Sequence, residues 1–227
     1  MAEFDIVITG ASGNIGKSLV QYYRNQGSRV ADLDISLGHN LADEKFVQSW
    51  FKDNTSYALV NCFALNDHVT SEVHGNRFLD LPLKKFQEIL DINVVALFSV
   101  CREFVKNNST GAVVNFSSIY SKVSPRPELY GGGEKNIAYG VSKAAVNQLT
   151  RHIAVHAAPD FRFNSIILGG VESNQNPKFS MGYSQNTPMG RMALPSDIFA
   201  AVDFLVSRDN PYVTGTEIVV DGGWLSI

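Results

Sequence analysis

The chain has 227 residues, of which 44% are hydrophobic and 18% charged, and this composition is typical of one globular domain with a single core. Its net charge of −3 gives no broad positive surface for nucleic acid. No uncharged apolar run approaches the roughly 20 residues of a membrane span, and the run at residues 4–9 is too short for a signal-peptide core. We therefore expect a cytoplasmic protein that binds neither nucleic acid nor a membrane, with Cys62 and Cys101 as reduced thiols.

Short β-branched runs alternate with segments of helical period, which predicts βα units and a parallel sheet. The predicted strands are 4–9, 29–34, 57–63, 111–117, 161–168 and 217–220. The predicted helices are 15–26, 43–52, 83–106, 138–156 and 196–207, the last entered through Pro195 and capped by Ser196. Residues 121–136 and 172–191 are rich in Pro and Gly and are predicted to be irregular.

These elements predict a single-domain α/β fold over residues 1–227. We expect a doubly wound, Rossmann-type parallel sheet with helices on both faces. The loops near 119–137 and 171–194 are long enough to cover a substrate site.

A glycine-rich turn follows the first predicted strand and leads directly into a helix. In that context glycines let backbone N–H groups approach a pyrophosphate at the helix N-terminus. The residues expected to contact such a cofactor are Gly10, Ser12, Gly13, Asn14, Ile15 and Gly16. The alternative is a tight βα turn that binds no ligand.

Asp34 stands at the end of the second predicted strand, 24 residues after Gly10. A carboxylate there suits the hydroxyls of an adenosine ribose and repels a 2′-phosphate, so the pattern favours NAD over NADP. Asp32 is an alternative ribose partner, although it stands two residues short of the strand end. Asp34 can also be explained as a turn residue, because Asp is common in turns.

Further motifs follow along the chain in a fixed order. They are Asn61-Cys62-Phe63-Ala64, Asn93, Val113-Val114-Asn115-Phe116-Ser117-Ser118, Tyr139-Gly140-Val141-Ser142-Lys143, Gly169-Gly170-Val171, Val213-Thr214-Gly215 and Asp221-Gly222-Gly223. Together with the glycine turn, this order resembles the short-chain dehydrogenase/reductase family from Thr9 to Trp224. The resemblance implies an oxidoreductase that moves hydride between a nicotinamide cofactor and a secondary alcohol or ketone.

The resemblance also implies roles for individual residues. Tyr139 would be the general acid or base, with Lys143 four residues later on the same helix face to favour its phenolate and hold the nicotinamide ribose. Ser118 would donate to the substrate oxygen, and Asn93 would hold a water that relays protons to Lys143. Further cofactor contacts are implied at Asn61, Ala64, Val171 and Ser173. Taken singly, each of the four catalytic candidates can also be explained as a cap, a turn former or a solvated side chain.

Some features depart from the family pattern. Ala64 replaces the usual Gly, and Phe63 is expected to need room in the sheet. The spacing of Gly10, Gly13 and Gly16 resembles the epimerase and dehydratase branch, which keeps a sugar-nucleotide epimerase or dehydratase as an alternative. A catalytically lapsed dinucleotide-binding regulatory protein is a second alternative.

The insertion before Tyr139 offers side chains for a substrate. Ser118 and Tyr139 are 21 residues apart, and the intervening loop resembles that of members in bacterial surface-sugar pathways. Tyr120, Arg126 and Tyr130 would suit a polar, sugar-like substrate, unless they are solvated loop residues.

Two remaining features concern metals and partners. His152 and His156 are four residues apart on a predicted helix, but no third ligand stands beside them, so we expect no metal site. The family resemblance implies a homodimer or homotetramer assembled through the helices at 83–106 and 138–156. The other expected partner is a small-molecule substrate.

Overall fold

The computed structural model describes residues 2–66, 77–131 and 133–227. Gly132, in the predicted loop 119–137, lies outside them. Six parallel strands form one sheet in the order β2-β1-β3-β4-β5-β6. The strands are β1 (Ala2–Thr9), β2 (Val30–Leu33), β3 (Asn54–Asn61), β4 (Gly111–Ser118), β5 (Phe161–Leu168) and β6 (Glu217–Val220). The helices are α1 (Asn14–Asn25), α2 (Glu44–Asp53), α3 (Leu83–Leu90), α4 (Leu97–Asn107), α5 (Ile137–Ala157), α6 (Pro177–Gln185) and α7 (Phe199–Val206).

The sheet is covered on both faces because its buried strands present apolar residues in both directions. Ile6 and Ile8 of β1 pack in a core with residues of α1 and α7. Val7, between them, faces the opposite core, which contains residues of α2, α4 and α5. The predicted doubly wound α/β fold with a parallel sheet is therefore confirmed.

The strand order reverses next to β1. The chain passes from β1 to β2 on one side and then returns to β3 on the other side. In open α/β sheets, ligands bind in the crevice outside the carboxyl ends of the strands at such a switch point. Thr9 and Asn61, the last residues of β1 and β3, are paired at this place. The fold thus places the glycine turn and the 62–66 segment at its expected ligand crevice.

A chain of buried polar side chains crosses the middle of the sheet. Thr9 Oγ1 donates to Asn61 Oδ1 at 2.9 Å, and Asn61 Nδ2 donates to Asn115 Oδ1 at 2.8 Å. Asn115 Nδ2 in turn donates to Thr150 Oγ1 on α5 at 2.9 Å. Each of these four residues is almost fully buried, so the bonds join three strands and one helix away from solvent.

The third strand differs from its prediction. It ends at Asn61, whereas the sequence pattern extended it to residue 63. The glycine turn carries the neighbouring chain away after Thr9, so strand pairing stops once Cys62 N has donated to Thr9 O at 3.0 Å. Phe63 therefore lies outside the sheet and needs no room within it.

Three helical segments also differ from their predictions. The predicted helix 83–106 contains a π-helical turn, Asp91–Ala96, between α3 and α4. Helix α6 interrupts the predicted loop 172–191, with Asn176 as its cap and Pro177 at its first position. The last helix begins with a 3₁₀ turn after Leu194, so Ser196 is not its cap.

None of the helices in the described ranges combines the length and apolar character needed to cross a membrane.

Candidate active site

The glycine turn is a tight structure in which two glycines cannot be replaced without a clash. Gly10 has a φ of +66°, and a Cβ there would lie 2.5 Å from Phe63 N. A Cβ on Gly16 would lie 2.1 Å from Gly10 O. Gly13 is the N-cap of α1 and provides no side-chain hydrogen bond, whereas Ile15 packs against the core. The first N–H groups of α1 are thus left without a side-chain cap, which fits a pyrophosphate group.

Asp34 lies at the rim of this turn. Its Oδ2 accepts from Ser12 N at 3.1 Å, and its Oδ1 accepts from Ser36 N at 2.9 Å and from Ser36 Oγ at 2.8 Å. Partial burial acts to raise the pKa of the Asp34 carboxyl, but the bonds from Ser36 and Ser12 outweigh it and hold that pKa below its usual value. Asp32 instead pairs with Arg24 at 3.0 Å. Asp34 is therefore the ionised carboxylate that adjoins the glycine turn.

The segment after β5 faces the glycine turn across the crevice. Asn14 Nδ2 donates to Glu172 O at 2.7 Å, which joins the start of α1 to this segment. Val171 O accepts from Gln175 Nε2 at 2.7 Å, and Ser173 N donates to Gln175 Oε1 at 2.6 Å. Val171 and Ser173, both expected cofactor contacts, are thus held by a side chain of their own segment.

Ser118, Tyr139 and Lys143 come together where β4 ends and α5 begins. Ser118 is the last residue of β4, and Tyr139 and Lys143 lie on the first two turns of α5. Lys143 Nζ is 5.7 Å from the centroid of the Tyr139 ring. The ammonium donates to Phe116 O at 2.8 Å, so it is held by a backbone carbonyl of β4.

Burial determines the protonation states of Tyr139 and Lys143. Burial raises the pKa of Tyr139 to about 12, although a hydrogen bond with the Ser118 side chain lowers it. Burial also lowers the pKa of Lys143 to about 8. At neutral pH the protein's own groups therefore keep Tyr139 as a phenol and Lys143 mostly as an ammonium. Phenolate formation needs further positive charge near the ring.

Asn93 lies in the π-helical turn and is fully used by protein groups as a donor. Its Oδ1 accepts from Leu65 N at 2.7 Å, and its Nδ2 donates to Leu65 O at 3.0 Å. The second amide proton goes to Ser142 Oγ at 2.9 Å. The side chain thus ties the 62–66 segment to α5, and a water at this amide can bond only to Oδ1. The proton-relay role stays a prediction.

The 61–66 segment packs directly on the glycine turn. The Asn61 side chain is hydrogen-bonded to Thr9 and Asn115 within the sheet. Only the backbone of Asn61 is therefore available for the predicted contact with a cofactor. Ala64 lies between Phe63 and Leu65. The backbone of Phe63 packs against Gly10, and Leu65 is hydrogen-bonded to Asn93. Burial raises the pKa of the Cys62 thiol well above its usual value, so this free thiol is not an activated nucleophile.

Aromatic side chains from several segments surround the region beyond Ser118. The hydroxyls of Tyr120 and Tyr130 are hydrogen-bonded to each other. The ring of Tyr183 stacks on Trp224 with centroids 4.3 Å apart. The guanidinium of Arg126 lies 4.9 Å from the centroid of the Trp224 ring. These contacts join the 119–137 segment to α6 and to the C-terminal turn.

Three residues of this region were not singled out from the sequence. Tyr183 and Trp224 are far apart in the chain, and only the spacing of Phe179 and Tyr183 on one helix face was available as a signal. Lys135, whose Nζ is 4.6 Å from the centroid of the Tyr139 ring, had the signal of standing four residues before Tyr139. Loop residues without a motif give no other indication of proximity.

Within the part of the chain that the structure describes, the histidine pair on α5 has no third partner that would make a metal site. The rings of His152 and His156 are 4.6 Å apart. Across residues 2–66, 77–131 and 133–227, no group of three or more His, Cys, Asp or Glu side chains could hold a metal ion.

Comparison with known proteins identifies the family. The protein-family model described as enoyl-(acyl carrier protein) reductase matches residues 3–225 of this chain. A 3-oxoacyl-(acyl-carrier-protein) reductase of Rickettsia felis is 30% identical, and the alignment covers 97% of this chain and 96% of the relative. An uncharacterized short-chain type dehydrogenase/reductase of Sinorhizobium fredii is also 30% identical, but this chain spans only 44% of its length.

Solved structures resemble the chain over almost its full length. A short chain dehydrogenase from Leptospira borgpetersenii with bound NAD⁺ has a TM-score of 0.86 and 27% identity, covering 99% of this chain and 93% of that one. A gluconate 5-dehydrogenase from Burkholderia cenocepacia in complex with NADP and tartrate has a TM-score of 0.80 and 18% identity, covering 100% and 96%.

These relatives are reductases and dehydrogenases, and they do not favour the epimerase, dehydratase or lapsed-protein alternatives. The family uses nicotinamide cofactors, and its members act on CH–OH and C=O groups. The chain belongs to the short-chain dehydrogenase/reductase family of oxidoreductases.

Proposed function

We propose that the protein is an NAD-preferring dehydrogenase or reductase that interconverts a polar secondary alcohol and its ketone. The observation that carries this proposal is the joint position of Ser118, Tyr139 and Lys143 at the carboxyl end of β4, on the edge of the sheet where the glycine turn also lies. A phenol, a hydroxyl donor and an ammonium at one place are the groups needed for proton transfer beside a hydride transfer.

The residues of the crevice fit a dinucleotide. The N–H groups at the start of α1, which have no side-chain cap, would hold the pyrophosphate, and Asp34 would bind the adenosine ribose. Lys143 would hold the nicotinamide ribose, and the backbone of Val171 would meet the carboxamide. When bound, the nicotinamide supplies or accepts the hydride.

Tyr139 moves the proton in this proposal. In the oxidation direction, Tyr139 as a phenolate accepts the hydroxyl proton of the alcohol while the carbinol C–H bond releases its hydride and the C=O bond forms. In the reduction direction, the phenol returns that proton to the oxygen. Ser118 donates a hydrogen bond to the same oxygen as negative charge develops on it. Asn93 would hold a water that carries the proton onward.

The preference for NAD rests on the charge at Asp34. Hydrogen bonds from Ser12 and Ser36 keep this carboxyl ionised, and a 2′-phosphate beside it would meet a like charge. The Leptospira borgpetersenii neighbour with bound NAD⁺ supports the same cofactor class.

A fluorescence titration with NADH and NADPH tests the cofactor. We expect NADH to bind at least about tenfold more tightly, a difference of about 1.4 kcal/mol. Asp34→Ser should reduce the ratio of the NADH affinity to the NADPH affinity. Asp53→Asn makes the same charge change on an exposed residue at the end of α2, and it should leave this ratio unchanged. Tighter binding of NADPH would refute the NAD preference, and binding of neither would refute the proposed activity.

The polar groups beyond Ser118 indicate the class of substrate. The Tyr120 and Tyr130 hydroxyls and the Arg126 guanidinium suit a hydroxylated substrate. A panel of polyols and sugar derivatives, with simple secondary alcohols for comparison, tests this class. Faster turnover of the simple alcohols would contradict it.

Tyr139→Phe tests the catalytic part. This variant should keep its affinity for NADH but lose turnover by about 10²–10⁴-fold, because only the acid/base group is removed. Unchanged turnover with the same substrate would overturn the assignment of Tyr139.

A further inference from the structure

A second lysine approaches the ring of Tyr139 from outside helix α5. Lys135 Nζ is 4.6 Å from the centroid of that ring, whereas Lys143 Nζ is 5.7 Å from it. Lys143 is buried, and Lys135 lies in the segment that precedes the helix. The ring of Tyr139 is therefore close to two ammonium groups.

The position of Lys135 is fixed by its surroundings. Its ammonium donates to the Oδ1 of Asn66. The residue before it, Glu134, accepts a hydrogen bond from Phe78 N at 2.8 Å through Oε2. The residue after it, Asn136, caps α5 by accepting from Ala138 N at 3.0 Å. The backbone on both sides of Lys135 is thus anchored, which holds the ammonium near the ring.

We infer that Lys135 is a positioning residue of the reaction, whose charge acts through Tyr139 to stabilise the phenolate. A cation near an aromatic ring is attracted to its π-system, and the attraction grows when the ring itself becomes negatively charged. Lys135 therefore favours the form of Tyr139 that accepts a proton. The inference rests on the proposed function, because it assigns Lys135 a part in the same proton transfer.

The other groups that face Tyr139 define the effect to be expected. Lys143 faces it from α5, and Ser118 bonds to it from the end of β4. Tyr120 and Tyr130 face it from the segment after β4, and Cys62 in turn faces Lys143. Burial holds the pKa of Tyr139 at about 12. Because this pKa lies far above neutrality, the ionised fraction near neutral pH changes by the same factor as the acid dissociation constant, about tenfold for each pKa unit.

The ionisation of Tyr139 can be measured without any substrate. In protein that carries 3,5-difluorotyrosine in place of Tyr139, the phenol is more acidic, and its ionised fraction is read from the ¹⁹F resonance at pH 8, where an ordinary lysine is still an ammonium. We expect that fraction to be about three- to tenfold smaller in Lys135→Met than with Lys135 present, a shift of about 0.5–1 pKa unit that allows for partial screening by solvent. Lys135→Arg should restore the fraction, and Lys84→Met, at an exposed position on α3, should leave it unchanged.

An equal ionised fraction in Lys135→Met and in the unchanged protein would overturn the inference. Lys135→Gln, which keeps a polar side chain, provides a second variant if Lys135→Met folds poorly. Because this readout needs neither substrate nor cofactor, its failure is distinct from failure of the proposed function.

Enzyme kinetics add an independent readout once a substrate is known. The acid limb of the kcat/KM profile for oxidation should move to higher pH in Lys135→Met, and Lys135→Arg should move it back. A higher KM for anionic substrates with an unchanged limb would instead make Lys135 a substrate contact and refute the inference.

Discussion

Lys143 carries a charge that the fold buries next to a backbone carbonyl instead of a carboxylate. Its Nζ donates to Phe116 O, and burial lowers its pKa from 10.5 to about 8. The unfolded chain therefore binds more protons than the folded protein between pH 8 and 10.5. In this window the free energy of unfolding should rise with pH. Below pH 8 the full cost of the buried charge remains, which is about 3 kcal/mol for a shift of this size.

Lys143→Met tests this cost. Below pH 8 the variant lacks the buried charge that destabilises the unchanged protein. The free energy of unfolding of the variant minus that of the unchanged protein should therefore have its largest value there. The difference between the two proteins should shrink as the pH rises towards 10.5. Urea unfolding of both proteins at several pH values between 7 and 10 measures it, and other titrating groups cancel in the comparison. A difference that is constant with pH would show that the folded pKa is not lowered.

For individual residues, the sequence indicated which side chains are candidates for the site, but not which residues they are hydrogen-bonded to. The motifs singled out Asn93, Ser118, Tyr139 and Lys143 as candidates, because the resemblance depends on residue order along the chain, and their catalytic roles stay predictions. The resemblance did not predict that Asn93 bonds to Leu65, since that contact depends on where two distant segments meet.

Tyr183 is the buried residue of helix α6, and it attaches this helix to two other segments. Tyr183 accepts a hydrogen bond from Gly170 N at 2.5 Å, and its ring stacks on Trp224. A Cβ on Gly170 would lie 2.7 Å from Tyr183 Cζ, which explains why a glycine is needed there. The segment after β5 and α6 are therefore packed as one unit.

Tyr183→Phe should weaken this unit. The variant keeps the ring but leaves the Gly170 N–H without its acceptor, so the free energy of unfolding should fall by about 1–3 kcal/mol. Tyr212→Phe, at a fully exposed tyrosine, removes the same hydroxyl and serves as the control. Urea unfolding of both variants measures the effect, and equal stabilities would contradict this account of α6.

Elements were predictable where hydrophobic periodicity is strong. All six strands were predicted, and the bounds of β5 and β6 agree with the prediction. Helix α6 was missed because its apolar stripe is weak and its residues include Gly182 and Pro177. The π-helical turn Asp91–Ala96 was missed because one extra residue in a turn does not disturb the pattern of apolar residues over 24 positions.

At the scale of the whole molecule, the predicted homo-oligomer is still to be tested. The helices implied in the subunit contact expose apolar side chains. The exposed fraction is 59% for Val95 in the π-helical turn, 43% for Phe98 on α4, and 77% for Val155 on α5. Burial of such residues between two copies would stabilise a dimer or tetramer.

Light scattering after size-exclusion chromatography measures the assembly. We expect a homodimer or homotetramer at micromolar concentration. Phe98→Glu should shift it towards the monomer, because a charge in an apolar contact is unfavourable. Leu37→Glu, at another exposed apolar residue after β2, should not. A monomeric unchanged protein would refute the expectation.

The polar chain through Thr9, Asn61, Asn115 and Thr150 also bears on how the sheet assembles. Slipping one strand by a single residue would turn its amide towards the opposite face, where it would be buried among apolar side chains without these partners. Misaligned pairings of β1, β3 and β4 are therefore penalised more strongly than in an all-aliphatic sheet. Strand alignment and the shape of the crevice are therefore linked, because Thr9 and Asn61 also end the strands that border it.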